Sequence, residues 1–250
     1  MIGVGRKPRK RWPLYLCIGL VLLIIFLCYF LFASGFFNVK SVVIEHTGET
    51  QASYKLSNSD ISDIMDIARD ENLLTMDKSV YEARINESPY LDCAGIYRSF
   101  PDKLIVRVRE RVPSAILIFQ GEHYLIDEEG VVLEKVQTSD YGCMIVSGLS
   151  ARNISLGSVI NPQNKEQLAA LITVLGELKT WRYSQHISEI NVSSLESSML
   201  VVDTKTIVKL GDSEDMHSKI GSLCAFLPQM ENKDGVLDLS NPGEGTFIPN

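Results

Sequence analysis

The run from Leu14 to Ala33, LYLCIGLVLLIIFLCYFLFA, constrains this chain more than any other feature. It is 20 residues long, with no charged residue, no amide side chain and no proline. As a helix it would rise about 30 Å, the thickness of a bilayer's hydrocarbon core. A buried globular helix rarely lacks a polar face over this length, so the run reads as a transmembrane helix. Trp12, Tyr15 and Tyr29 lie near its ends, where amphipathic rings favour the interface. Arg6, Lys7, Arg9, Lys10 and Arg11 precede it, whereas Lys40 is the nearest basic residue after it. Such a bias puts residues 1–13 in the cytoplasm and Ser34 onward outside.

Other membrane signals fit less well. Ala33-Ser34-Gly35 has the small residues of a cleavage site, but a cleaved leader's apolar core is shorter, about 7–15 residues. Cys17 and Cys28 follow leucine, which a lipoprotein cysteine would not, and no lipidation pattern follows Met1. The expectation is a single-pass anchor, spanning 14–33, whose work is done outside.

Five of the 24 basic residues lie in the short leading tail with no acid among them. The rest of the chain is therefore more acidic than the formal net charge of −7 suggests. A nucleic-acid binder would show the opposite balance. Hydrophobic types make up 45%, enough for folded cores rather than a disordered chain. Five widely spaced cysteines exclude a disulfide-stapled mini-protein. Cys93, Cys143 and Cys224 lie in the outer part, where the spacing leaves two readings: one disulfide with a spare thiol, or, favoured, buried free thiols.

The outer region opens with a β-branched segment, Phe37 to His46, read as a strand. Ser57-Asn58-Ser59-Asp60 resembles a helix start, and Ile61, Ile64, Met65 and Ala68 share one face of that helix. A second helix runs from Asp77 to about Glu87 and stops before Pro89. Strands at 92–99 and 103–109 flank a turn at Phe100-Pro101-Asp102. The order β-α-α-β-β predicts a small α+β domain over 37–110. A second, β-rich domain over 111–250 follows, with strands near 114–119, 123–126, 131–133 and 144–147. Asn161-Pro162 reads as the cap of a helix. Strands at 187–192, 198–202 and 206–210 come next, then a helix from Ser213 to Leu227 ended by Pro228. A last strand, Gly235 to Ser240, precedes a short tail. The predicted fold class is thus α+β behind one transmembrane helix.

No chemistry stands out. There is no Walker lysine motif, G-x-S-x-G elbow, H-E-x-x-H pair or C-x-x-C motif. His46, His123, His186 and His217 are isolated in sequence. The acids at Asp63, Asp66 and Asp70 fit a solvated helix face, and Asp127-Glu128-Glu129-Gly130 fits a hairpin turn rather than a calcium loop. Asn153-Ile154-Ser155 and Asn191-Val192-Ser193 match a glycosylation pattern short enough to arise by chance. No catalytic residue, cofactor or metal is therefore expected. A tethered cell-wall enzyme and a POTRA-type assembly or transport module are the alternatives; the first needs a catalytic pocket, the second a membrane barrel that this sequence does not suggest.

Several of these segments carry a resemblance. Phe37-x-Val39-x-x-Val42-x-Ile44, Asn72-Leu73-Leu74 and Leu125-Ile126-Asp127-x-x-Gly130 belong to it. So do Gly148, Val208-x-Leu210-Gly211 and Leu237-Asp238-Leu239. The most specific stretch is Phe100-Pro101-Asp102-x-Leu104-x-Val106-x-Val108-x-Glu110-Arg111-x-Pro113-x-Ala115. Together they resemble the FtsQ/DivIB family of bacterial cell-division proteins. The resemblance implies a membrane-proximal POTRA domain and an FtsQ-type β domain in a non-enzymatic divisome scaffold. It implies single-pass partners of the FtsB/FtsL or DivIC/FtsL kind, bound on the outer face of the plasma (inner) membrane at the septum to control septal peptidoglycan synthesis.

A final strand at a sheet edge leaves backbone groups that an incoming strand can satisfy. The expected partner-binding residues are therefore Gly235, Val236, Leu237, Asp238, Leu239 and Ser240, with Phe247 in the tail as an aromatic anchor. Val236, Leu237 and Leu239 also suit a core, on the opposite face of the same strand.

Overall fold

The computed structural model describes residues 12–48, 56–68, 70–137, 141–230 and 234–249. The basic run ahead of Trp12 lies outside these residues. The chain forms two compact units. One comprises residues 1–85 and 93–108, the other 86–92 and 109–250.

The first unit begins with α1, Trp12–Ala33, an uncharged helix of 22 residues. Its side chains are described over residues 15–30 and at Trp12, and all of these are exposed. Over that described part alone, no helix is long and apolar enough to cross a membrane. Gly35, at φ +66°, turns the chain out of the helix.

The globular part of this unit has strands β1 (Ser41–His46), β2 (Leu91–Ser99) and β3 (Lys103–Glu110), and helices α2 (Asn58–Met65) and α3 (Lys78–Asn86). The sheet order is β1-β3-β2, and β1 runs parallel to β3 from Ser41↔Lys103 to His46↔Val108. Alternation sends Leu104, Val106 and Val108 inward, and the helices bury Ile61, Met65, Tyr81 and Ile85. Ser57 caps α2 in a capping box. Asp60 N–H donates to Ser57 Oγ, and Ser57 N–H donates to Asp60 Oδ2 at 2.8 Å. The serine hydroxyl holds the Asp60 carboxyl below its usual range. α2 stops at Met65, because Asp66 adopts a left-handed conformation, so Ala68 does not extend its apolar face as expected.

The second unit is built on one mixed sheet. Its strands are β4 (Ala115–Phe119), β5 (Glu122–Ile126), β6 (Val132–Val136), β7 (Met144–Ser147), β10 (Ile187–Asn191), β11 (Ser198–Val202), β12 (Thr206–Gly211), β13 (Gly235–Asp238) and β14 (Thr246–Pro249). They lie in the order β14-β13-β12-β11-β10-β7-β4-β5-β6. A separate ladder pairs β8 (Ala151–Asn153) with β9 (Asn161–Pro162). Helices α4 (Lys165–Thr180) and α5 (Met216–Met230) join one large core with one face of the sheet. Leu171, Val174 and Leu178 of α4, with Ile220 and Leu223 of α5, meet Leu200, Val208, Leu210 and Leu237 there. Near β4, β5 and β6 a second core of Ile116, Leu125, Leu133 and Val136 is flanked by Tyr90 and Cys143.

Two sequence expectations are corrected. Asn161-Pro162 does not cap α4 but forms β9; Asn164 is the cap, its Oδ1 accepting from Glu166 N–H at 2.9 Å. Pro228 lies inside α5 rather than ending it. At the other end of α5, Lys219 is 1% exposed, and its Nζ donates to Asp212 Oδ1 and O at 2.8 and 3.0 Å. All five cysteines are free thiols. Burial pushes the thiols of Cys143 and Cys224 up.

Arg111 organises the start of this unit. Its guanidinium donates to Asp127 Oδ2 at 2.6 Å and Glu129 Oε2 at 2.9 Å. Asp127 Oδ1 meanwhile accepts from the backbone N–H groups of Glu129 and Val131, fixing the turn that Gly130 completes at φ +77°. Arg109 bridges Asp92 and Glu129. These hydrogen bonds hold the Glu129 carboxyl below its usual range and raise both guanidinium groups further above theirs.

The two ends of the large sheet differ. At β6, Val132 N–H donates to Ser158 O and its carbonyl accepts from Gly157 N–H, so part of this edge is covered by the chain itself. The exposed remainder carries Lys135, ion-paired to Glu122. β14 ends the sheet on the opposite side.

Candidate partner-binding edge

The expected edge strand is an interior strand. β13 pairs in parallel with β12, from Thr206↔Gly235 to Lys209↔Asp238, and antiparallel with β14, from Gly235↔Pro249 to Asp238↔Thr246. The reason is the turn after it. Asn241 O accepts from Glu244 N–H at 3.2 Å, with Pro242 and Gly243 between them and Gly243 at φ +79°. Proline followed by a positive-φ glycine is the pattern of a type II turn. The short tail expected after this strand therefore folds back as one more strand.

The predicted residues fall into separate roles. Leu237 and Leu239 are fully buried in the core, while Val236 and Asp238 are half-buried and alternate with them. Asp238 Oδ1 accepts from Ser240 N–H at 3.0 Å, and this bond holds its carboxyl below the usual range. Leu239 N–H donates to Lys209 O, and Ser240 packs against Gly211. Gly235 lies beneath β14: a Cβ there would stand 2.5 Å from Ile248 O and 2.7 Å from Phe247 Cζ. Phe247 is half-buried against the core of its own unit rather than displayed. Gly245 allows the returning chain to cross Phe226, whose ring would lie 2.4 Å from an added Cβ.

The displayed residue is Ile248, 59% exposed. It belongs to a row that only the strand register brings together. Register aligns Val201 with Ile207, Ile207 with Val236, and Val236 with Ile248. Alternation puts all four on the face away from α4 and α5, since their neighbours Leu200, Val208 and Leu237 point into the helix-covered core. Ile207 is 42% exposed, and Val201 and Val236 are half-buried. Beside this apolar stripe runs a second row in which Met199 aligns with the polar residues Lys209, Asp238 and Thr246. The stripe runs across the strands and ends at the outermost strand of the sheet. β14 has one paired side, toward β13, and no strand beyond it among the described residues. The available signal was Asn241-Pro242-Gly243 followed by a short β-prone run, Thr246-Phe247-Ile248.

A family model for the FtsQ-type POTRA domain matches residues 37–111. A model for the C-terminal region of the cell division protein FtsQ/DivIB matches residues 115–240. The chain belongs to the FtsQ/DivIB family of cell division proteins. Among its relatives, the cell division protein FtsQ of Syntrophotalea carbinolica is 25% identical over 210 residues, covering 83% of this chain and 71% of that one. DivIB of Clostridium tetani is 24% identical over 228 residues, covering 89% and 83%. The major extracytoplasmic domain of Geobacillus stearothermophilus DivIB aligns at TM-score 0.31 and 14% identity, over 48% of this chain and 96% of that one. Family membership agrees with the α+β class and assigns the chain to cell division. The β14 edge lies beyond the part matched by the C-terminal model, which stops at residue 240.

Proposed function

We propose that this FtsQ/DivIB-family chain is a non-enzymatic divisome scaffold. In this reading α1 is a membrane anchor with the basic tail in the cytoplasm. The POTRA domain and the β domain then lie on the outer side of the plasma membrane at the septum. There they bind single-pass partners of the FtsB/FtsL or DivIC/FtsL kind and so help control septal peptidoglycan synthesis. The uncharged 22-residue helix supports the anchor, since its length as a whole matches a bilayer core.

The observation that carries the partner reading is the outermost strand β14 with the apolar stripe leading to it. An edge strand leaves backbone N–H and C=O groups that an extended peptide can pair, and the stripe gives that peptide's alternate side chains an apolar surface. Residues Gly235 to Ser240 act from behind, holding β14 in place, and Phe247 fastens it to the core. Ile248 takes the displayed role first expected of Phe247. A common membrane also raises the effective concentration of tethered partners, so a short added strand suffices.

The test is capture of native partners from membranes by the tagged full chain, by a chain lacking residues 241–250, and by Ile248→Asp. Both variants should lose small single-pass partners. Full retention by Ile248→Asp and by the truncated chain would overturn the edge reading.

A further inference from the structure

We infer that Phe36, Phe37 and Phe100 form an aromatic seat by which the first unit rests in the headgroup zone of the outer leaflet. This inference depends on reading α1 as a membrane span. Phe36 follows Ala33 by three residues, a reach of at most about 10 Å. The headgroup zone on each side of a bilayer is about 5–8 Å deep. Where α1 spans, Phe36 therefore lies within the headgroup zone or at most a few ångströms (about 2–5 Å) above it.

The three rings form a group. Phe36 meets Phe37 edge-on with centroids 5.1 Å apart, and Phe37 meets Phe100 edge-on at 6.0 Å. Phe36 is 47% exposed and Phe100 56%. The backbone holds them together across a long stretch of sequence. Asp102 O, in the β2–β3 turn beside Phe100, accepts from Lys40 N–H at 2.9 Å, and Phe37 O accepts from Leu73 N–H at 2.9 Å. Leu74, exposed on that neighbouring segment, adds apolar surface. Lys40 and Lys103 are exposed in the segments that carry the rings, and Asp102 is ion-paired to Lys40 at 3.6 Å.

Exposed aromatic rings next to basic side chains are the composition that buries into the boundary between headgroups and acyl chains. A patch of this kind marks either a protein or a membrane contact, and the short tether from the span selects the membrane. Phe100 is the informative residue, because nothing in the chain's connectivity brings it to the lipid; the fold does.

The test uses the full chain, with Trp12→Phe and Trp181→Phe, reconstituted into phosphatidylethanolamine/phosphatidylglycerol vesicles. A single tryptophan is introduced by Leu22→Trp, Phe36→Trp or Phe100→Trp. Emission is compared between ordinary lipid and lipid brominated either near the top or near the end of the acyl chains, the second to reach Leu22→Trp at mid-span. All three should lose emission in brominated lipid, and Phe100→Trp should shift to the blue relative to detergent-free urea. If Leu22→Trp is quenched but Phe100→Trp keeps its emission and is quenched by aqueous iodide, the seat is wrong while the span stands. If Phe100→Trp escapes both quenchers, a second copy covers the rings and the lipid assignment fails. If Leu22→Trp itself is unquenched, the span falls and takes the seat with it.

Discussion

At the scale of single residues, the behaviour of this chain turns on a few contacts that have no slack. Gly235 is one, since an added Cβ would collide with the Ile248 carbonyl and the Phe247 ring. Gly235→Ala should cost about 1–3 kcal/mol in urea unfolding, the range for overpacking, and should weaken partner capture more than Val236→Ala does. Arg111 is another. Asp127 is nearly buried, with 5% of its side chain exposed, so removing its cation leaves an unpaired buried carboxylate. Arg111→Ala should destabilise by about 3 kcal/mol, read from the urea midpoint at constant slope. Glu129 sets an acid limit. Its folded pKa lies below its unfolded value near 4.5, so its contribution is present above that pH and is lost as pH falls through the folded value. Glu129→Gln should flatten the decline of stability below about pH 4.5, by less than about 1 kcal/mol because the group is partly solvated. The acids of this turn were visible in the sequence as a hairpin, but not their cations. The bond between Arg111 and Asp127 depends on how two strands are set in space. Asn164 was missed for a simpler reason: Asn161-Pro162 presents the stronger local signal, and pairing with β8 overrides it.

At the scale of elements, periodicity located most strands and helices, because alternation and the i, i+3, i+4 pattern report local burial directly. It failed where an element is decided by a neighbour. α5 continues through Pro228 to Met230, with Phe226 and Leu227 just before it packed against the core. β14 escaped notice because only four residues carry it, and their strand character comes from pairing with β13. The candidate site was thus half legible: the right end of the sheet, the wrong strand as its rim. Gly243 is the hinge of that error. Gly243→Ala meets no neighbour yet must adopt positive φ. It should cost about 1–2 kcal/mol locally. The measurement is amide exchange, which should quicken at Thr246 to Ile248 while α4 amides stay protected.

At the scale of the whole molecule, the large sheet is asymmetric. One margin, at β6, is partly covered by residues 157–159 and carries a paired lysine; the other is β14. A ribbon of identical copies needs an open border on both sides of every member, and on the β6 side residues 157–159 and the charged pair stand against such pairing. Two copies joined through β14 would close on themselves and present only the partly covered, charged β6 margins. Sedimentation of the outer region in detergent-free buffer should accordingly stop at monomer or dimer at any concentration, whereas a ladder of higher species would contradict it. The consequence is a built-in terminus: a single guest occupies the berth, and the far border opposes growth of a fibre from it.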